Sequence, residues 1–109
     1  MLLLKKKGSQ LCVCLQGEID HCSATAIRSQ LETALRDEDI KELYIDLSKV
    51  SFIDSSGIGM LIGRYKTMAA KGGKICAGGL QESVRRLYHI AGLHRIIPIV
   101  EQGGEHDNQ

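Results

Sequence analysis

No run of apolar residues in this sequence is long enough to span a bilayer, and none is placed to act as an export signal. Met1-Leu2-Leu3-Leu4 is too short for a signal core, and its charges, Lys5-Lys6-Lys7, follow it where a signal would put them first. A cytoplasmic chain without a membrane partner is expected. Charge of one sign is equally scarce, since 14 Lys and Arg stand against 13 Asp and Glu for a formal net charge of +1. No global field draws such a chain to nucleic acid. The lysines at 5–7 read as the solvated tip of an edge strand, where lysine also discourages aberrant pairing. A C-x-x-C pair is absent too, which removes the usual zinc and thioredoxin spacings. Cys12 and Cys14 share one face of a strand and, with His21 and Cys22, form a conceivable metal cluster. Reduced thiols acting as small hydrophobes fit Cys12, Cys14, Cys22 and Cys76 better, so no metal and no cofactor is expected. There is no internal repeat and no linker, and 109 residues leave room for one domain with a modest core.

What is present is an alternation of strand and helix patterns. Leu2–Lys6 reads as an edge strand turning at Gly8-Ser9, and Leu11–Leu15 as a strand buried on both faces and broken by Gly17. Glu18 to His21 is a polar connection. A first helix is expected from about Ser23 to Arg36, with Ile27, Leu31, Ala34 and Leu35 on one face. Leu43–Leu47 is the next strand, leading through Ser48-Lys49 into an apolar run, Val50 to Ile53. A second helix spans about Ser56 to Ala70 and stops at Gly72-Gly73. Its inward face is read as Ile58, Leu61, Ile62, Tyr65, Met68 and Ala69, with Arg64, Lys66 and Lys71 outside. Lys74–Ala77 is a short strand. A third helix runs from Gln81 to Ala91 with Val84, Leu87, Tyr88 and Ala91 inward, and Gly92 fits the left-handed position after it. Ile96–Val100 closes the sheet, and the lone proline, Pro98, argues for an edge. Residues 1–100 form the domain, and 101–109, which lack apolar periodicity, read as a frayed tail. The class is α/β with a small mixed sheet flanked by helices.

The chemistry concentrates where the apolar run meets the second helix. Asp54, Ser55 and Ser56 stand at N-cap positions, where short side-chain oxygens accept from free backbone N–H groups, and a helix start also favours an anion. Capping alone accounts for one hydroxyl and not for two consecutive serines followed by glycines. Gly57, Gly59 and Gly63 suggest a dinucleotide loop, but the spacing is G-x-G-x-x-x-G, and the acid that should end the next strand is missing at Cys76-Ala77. Close approach of a partner or a neighbouring backbone suits these glycines better. A serine hydrolase would need Ser55 with His21, His89 or His94 as base, yet G-x-S-x-G is absent and no spacing implies a triad.

Three blocks in order resemble the STAS-domain anti-sigma-factor antagonists, and among them the sporulation members. Gly17-Glu18-Ile19-Asp20-His21 is similar to the family segment G-E-[LI]-D-H. Asp46-Leu47 with Ser51 to Gly59, continued by Leu61 to Lys66, resembles the phosphorylation loop. Val84 to Leu87 with Ala91-Gly92-Leu93 resembles the third-helix signature. The resemblance implies the STAS fold and a partner switch in place of an enzyme. Ser55 would be the phosphate acceptor of an ATP-dependent anti-sigma serine kinase, and a metal-dependent serine phosphatase would reset it. The unphosphorylated chain, a monomer when free, would bind the kinase and release the sigma factor for transcription, in sporulation. Asp20, Asp54, Ser55, Ser56, Gly57 and Gly59 would meet the partner. A STAS module in a transporter or stress-response complex, binding a nucleotide or lipid, is the alternative. Two departures stand out: Cys22 replaces what is often a second histidine, and Gly103-Gly104 interrupt a fourth helix.

Overall fold

The computed structural model describes residues 2–100, so the expected frayed tail at 101–109 lies outside the described residues. A five-stranded sheet in the order β1-β2-β3-β4-β5 forms the centre. β1 (Leu2–Lys7) pairs antiparallel with β2 (Gln10–Ile19). The rest is parallel: β2 with β3 (Glu42–Ile53), β3 with β4 (Lys74–Gly78), and β4 with β5 (Ile99–Val100). Between the parallel strands run α1 (His21–Ala34), α2 (Ser55–Ala70) and α3 (Glu82–Ile90), the last followed by a 3-10 turn, Leu93–Arg95. The mixed α/β sheet expected from the sequence is the architecture observed.

Alternation builds the core. Leu11, Val13 and Leu15 of β2 and Leu43, Ile45 and Leu47 of β3 are buried against Ile27 and Leu31 of α1 and Leu61 and Met68 of α2. Burying a side chain of this size is worth about 1.5–3 kcal/mol, so the sheet face under α1 and α2 carries much of the fold. The edges are the short, charged β1 and the two-residue β5, next to which Pro98 keeps only its carbonyl in use, accepting from Ala77 N at 3.0 Å.

Several boundaries differ from the sequence expectation. Glu18 and Ile19 belong to β2, not to a connection, because Gly17 takes a positive φ of 88° and absorbs a register shift without ending the strand. β3 likewise runs on unbroken from Glu42 to Ile53. Ile96 lies between the 3-10 turn and β5, outside any strand, while Gly92 is left-handed as expected, at φ 77°.

The buried stripe of α2 is Gly57, Met60, Leu61, Arg64 and Met68, with Ile58, Ile62 and Tyr65 only partly covered and Ala69 exposed. Arg64 is therefore not on an outer face; it is 4% exposed. Ala91, expected inward, is exposed, since α3 has already ended at Ile90.

Candidate functional site

The site forms where β2 and β3 deliver α1 and α2 side by side. Ile19 and Ile53, paired at the ends of their strands, are buried, and the residue after each is an aspartate that caps a helix. Asp54 Oδ1 accepts from Ser56 N at 2.8 Å and Gly57 N at 3.1 Å, and Asp54 N donates to Ile19 O at 3.1 Å. Two of the free N–H groups of α2 are thus satisfied, and the helix start is tied to the neighbouring strand. Asp20 accepts from Ser23 N at 3.0 Å, while Asp20 N donates to Ser23 Oγ at 2.9 Å. The Ser23 backbone and hydroxyl bonds hold the exposed Asp20 carboxyl below its ordinary pKa, because they favour the charged form.

Ser55 is the first residue of α2, and it is exposed. Its hydroxyl has no hydrogen-bond partner among the described residues. Ser56 is half-buried, with Oγ 3.5 Å from His21 Nδ1. Gly59 is exposed, whereas Gly57 is buried, and a Cβ there would stand 2.6 Å from Ile53 Cγ1 and 2.8 Å from Ile19 Cγ2. Of the six residues the sequence singles out, five reach the surface around the two helix starts: Asp20, Asp54, Ser55, Ser56 and Gly59. Gly57 contributes by letting α2 settle on the strands. Phe52, two residues before Asp54, adds an exposed apolar ring, 44% accessible.

Among the described residues a nucleophilic relay is not assembled. His21 approaches Ser56, not a carboxylate, and His89 stacks on His94 at a centroid distance of 4.4 Å at the far end of α3. Cys12, Cys14 and Cys76 are half-buried on their strands, where burial pushes the Cys12 and Cys76 thiols up, and Cys22 is exposed on α1. What the arrangement offers is an accessible hydroxyl beside two carboxylates.

Sequence reasoning missed the basic groups between the helices. Arg64 Nη1 donates to Arg28 O at 3.2 Å and Nη2 meets Glu32 Oε2 at 3.5 Å; burial lowers the guanidinium pKa while Glu32 works to raise it. Lys71 Nζ donates to Leu35 O at 3.0 Å and Asp37 O at 2.9 Å. A signal for Arg64 existed, since it follows Gly57 and Met60 at the same i+7 and i+4 spacing as the other buried positions.

Comparison with known proteins agrees with this architecture. The STAS domain family matches residues 2–105. An anti-sigma F factor antagonist of Paenibacillus polymyxa is 35% identical over 91 residues, covering 84% of this chain and 78% of that protein. An anti-sigma-B factor antagonist of Listeria monocytogenes is 37% identical over 89 residues, covering 82% and 77%. The crystal structure of an anti-sigma factor antagonist from Mycobacterium paratuberculosis superposes with a TM-score of 0.81 at 27% identity, over 91% of this chain and 83% of that one. Among the described residues no helix is long and apolar enough to cross a membrane.

Proposed function

The chain belongs to the STAS-domain family, and from that premise we propose that it is a cytoplasmic anti-sigma-factor antagonist switched by phosphorylation of Ser55. It acts by binding, without catalysis of its own. The unmodified chain binds an anti-sigma serine kinase through the surface of Ser55, Ser56, Gly59, Asp20 and Asp54 and so frees the sigma factor. The kinase ends that interaction by phosphorylating Ser55, and a metal-dependent serine phosphatase restores it. The kinase that binds decides between sporulation, the setting the sequence resemblance implies, and the stress setting suggested by the sigma-B relatives.

The observation that carries the reading is the exposed, unpartnered hydroxyl of Ser55 at the first position of α2, next in sequence to the capping Asp54, with Asp20 capping the neighbouring helix. A phosphate adds about −1.5 to −2 charges and three strong acceptors. The N–H groups that could neutralise it are in part already taken, since Ser56 N and Gly57 N serve Asp54. A partner surface shaped for a neutral hydroxyl must then desolvate an unpaired charge. That costs several kcal/mol, on the order of a thousandfold in affinity. No refolding is required, because a helix start tolerates an anion.

The test uses the cognate kinase with ATP. One phosphate should appear and map to Ser55. Ser55→Ala should block phosphorylation and retain kinase binding, and Ser55→Asp should bind at least about tenfold more weakly, since a carboxylate carries part of the phosphate charge. Phosphate on Ser56, or full binding by Ser55→Asp, would falsify the charge switch.

A further inference from the structure

Two glycines inside α2 are not explained by the fold. Gly59 and Gly63 stand one turn apart, both line the groove between α1 and α2, and a Cβ built on either meets nothing within 4 Å. Glycine in a helix interior is less favourable than alanine, because it loses more backbone freedom on folding. The fold would accept alanine at both positions and gain from it, whereas Gly57 is required by Ile19 and Ile53. Both glycines therefore leave room over α2 for a partner's backbone to approach closely.

The groove has a volume of about 370 Å³, and its walls include Thr25, Arg28 and Glu32 from α1 and Arg64 from α2, with His21 and Ser56 adjoining the Ser55 surface. Arg64 supplies a separate observation. It is 4% exposed, and its Nε is buried without a hydrogen-bond partner. A buried N–H without an acceptor is costly, so the guanidinium keeps capacity for an acceptor beyond the Arg28 carbonyl and Glu32. Against the single carboxylate of Glu32 the groove sets Arg28 and Arg64. Negative charge is the complement.

We propose that this groove seats an acidic segment of the same anti-sigma partner that meets Ser55. Its carboxylate pairs with the Arg28 and Arg64 guanidinium groups, and its backbone lies close over Gly59 and Gly63. This rests on the function proposed above and extends it: the partner is held along the α1–α2 groove as well as at the phosphate acceptor. The two contacts are separable, because the groove makes no use of the Ser55 hydroxyl.

Binding of the purified anti-sigma kinase is measured by calorimetry for the unaltered chain, Gly63→Ala and Arg28→Glu, alongside thermal melts. Gly63→Ala should raise Tm by roughly 2–8 °C, as expected for relief of helix-interior glycine, and yet weaken kinase binding by about tenfold or more. Arg28→Glu should weaken binding by at least as much and flatten its salt dependence, with Tm little changed. If the unaltered chain binds and both variants bind within about twofold of it, the groove assignment falls while the Ser55 switch stands. A chain that binds no anti-sigma kinase at all brings down both. A concentration-dependent dimer of the free chain that Arg28→Glu dissolves would give the groove to a second copy and overturn the proposal.

Discussion

Asp20 and Asp54 open α1 and α2 with nearly the same backbone, φ −109° and ψ −170° for the first and φ −102° and ψ −173° for the second. The third helical residue separates them. In α1 it is Ser23, whose hydroxyl accepts from Asp20 N and completes a reciprocal box. In α2 it is Gly57, which has no side chain to return, and Asp54 N goes instead to Ile19 O. The first start closes on itself; the second is closed by the neighbouring strand. Ser55 and Ser56, at the first and second helical positions, are not placed to make that return bond, and Ser55 is left exposed. The close seat of α2 on Ile19 and Ile53 is what requires glycine at 57.

The contrast can be broken most strongly at Gly57. Gly57→Ser restores the residue that α1 uses, but its Cβ enters the space of Ile53 and Ile19. We expect a loss of about 1–3 kcal/mol by chemical denaturation, as for an overpacked core. A change under about 0.5 kcal/mol would show that α2 can lift off the strands freely. Next come the caps. Asp54→Ala orphans two N–H groups at a half-buried start and should cost toward the top of the usual range of about 0.5–2 kcal/mol. Asp20→Ala, at an exposed start, should cost clearly less than Asp54→Ala in the same measurement. Equal losses would erase the distinction between the two starts.

The smallest effect is in acid. Asp20 has a folded pKa below its ordinary 3.8, so its contribution is present above that value and disappears as pH falls through the lower, folded one. Asp20→Asn keeps an N-cap oxygen without the charge. Its stability deficit against the parent should be visible at neutral pH and shrink progressively once the pH is below about 4. A deficit that stays constant down to pH 3 would place the bond energy in the oxygen and not in its charge.

The strand–turn–helix passage around Asp54 was legible because three signals coincide there: an apolar run, a capping acid and a helical period. Edge strands and the left-handed Gly92 were legible from lysine, proline and glycine chemistry. The tight starts were less so. The Asp20–Ser23 box runs as D-x-x-S and lacks the acid or amide that marks the usual pattern, and Gly17 hid the length of β2 because a positive-φ glycine at a bulge looks like a break. The buried face of α2 is rotated from the one its apolar periodicity predicts because the Arg64 guanidinium is buried and not solvated. Arg64 is buried among backbone carbonyl and carboxylate acceptors that sit on α1, far away in sequence, and local periodicity cannot see an acceptor supplied by tertiary packing.

The lysine that ends α2 gives the helix pair a mechanical character. Lys71 grips the carbonyls of Leu35 and Asp37 beyond the last turn of α1, Arg64 holds the Arg28 carbonyl midway, and Asp54 is fastened to Ile19 at the opposite end. Tied to the α1 side at Arg64 and Lys71 and to β2 at Asp54, α2 cannot slide along α1 without breaking several hydrogen bonds at once. The width of the slot between them is set before anything enters it. A partner docking there would meet backbone already held in place, and on this side the ordering cost would fall on exposed side chains such as Arg28 and Glu32.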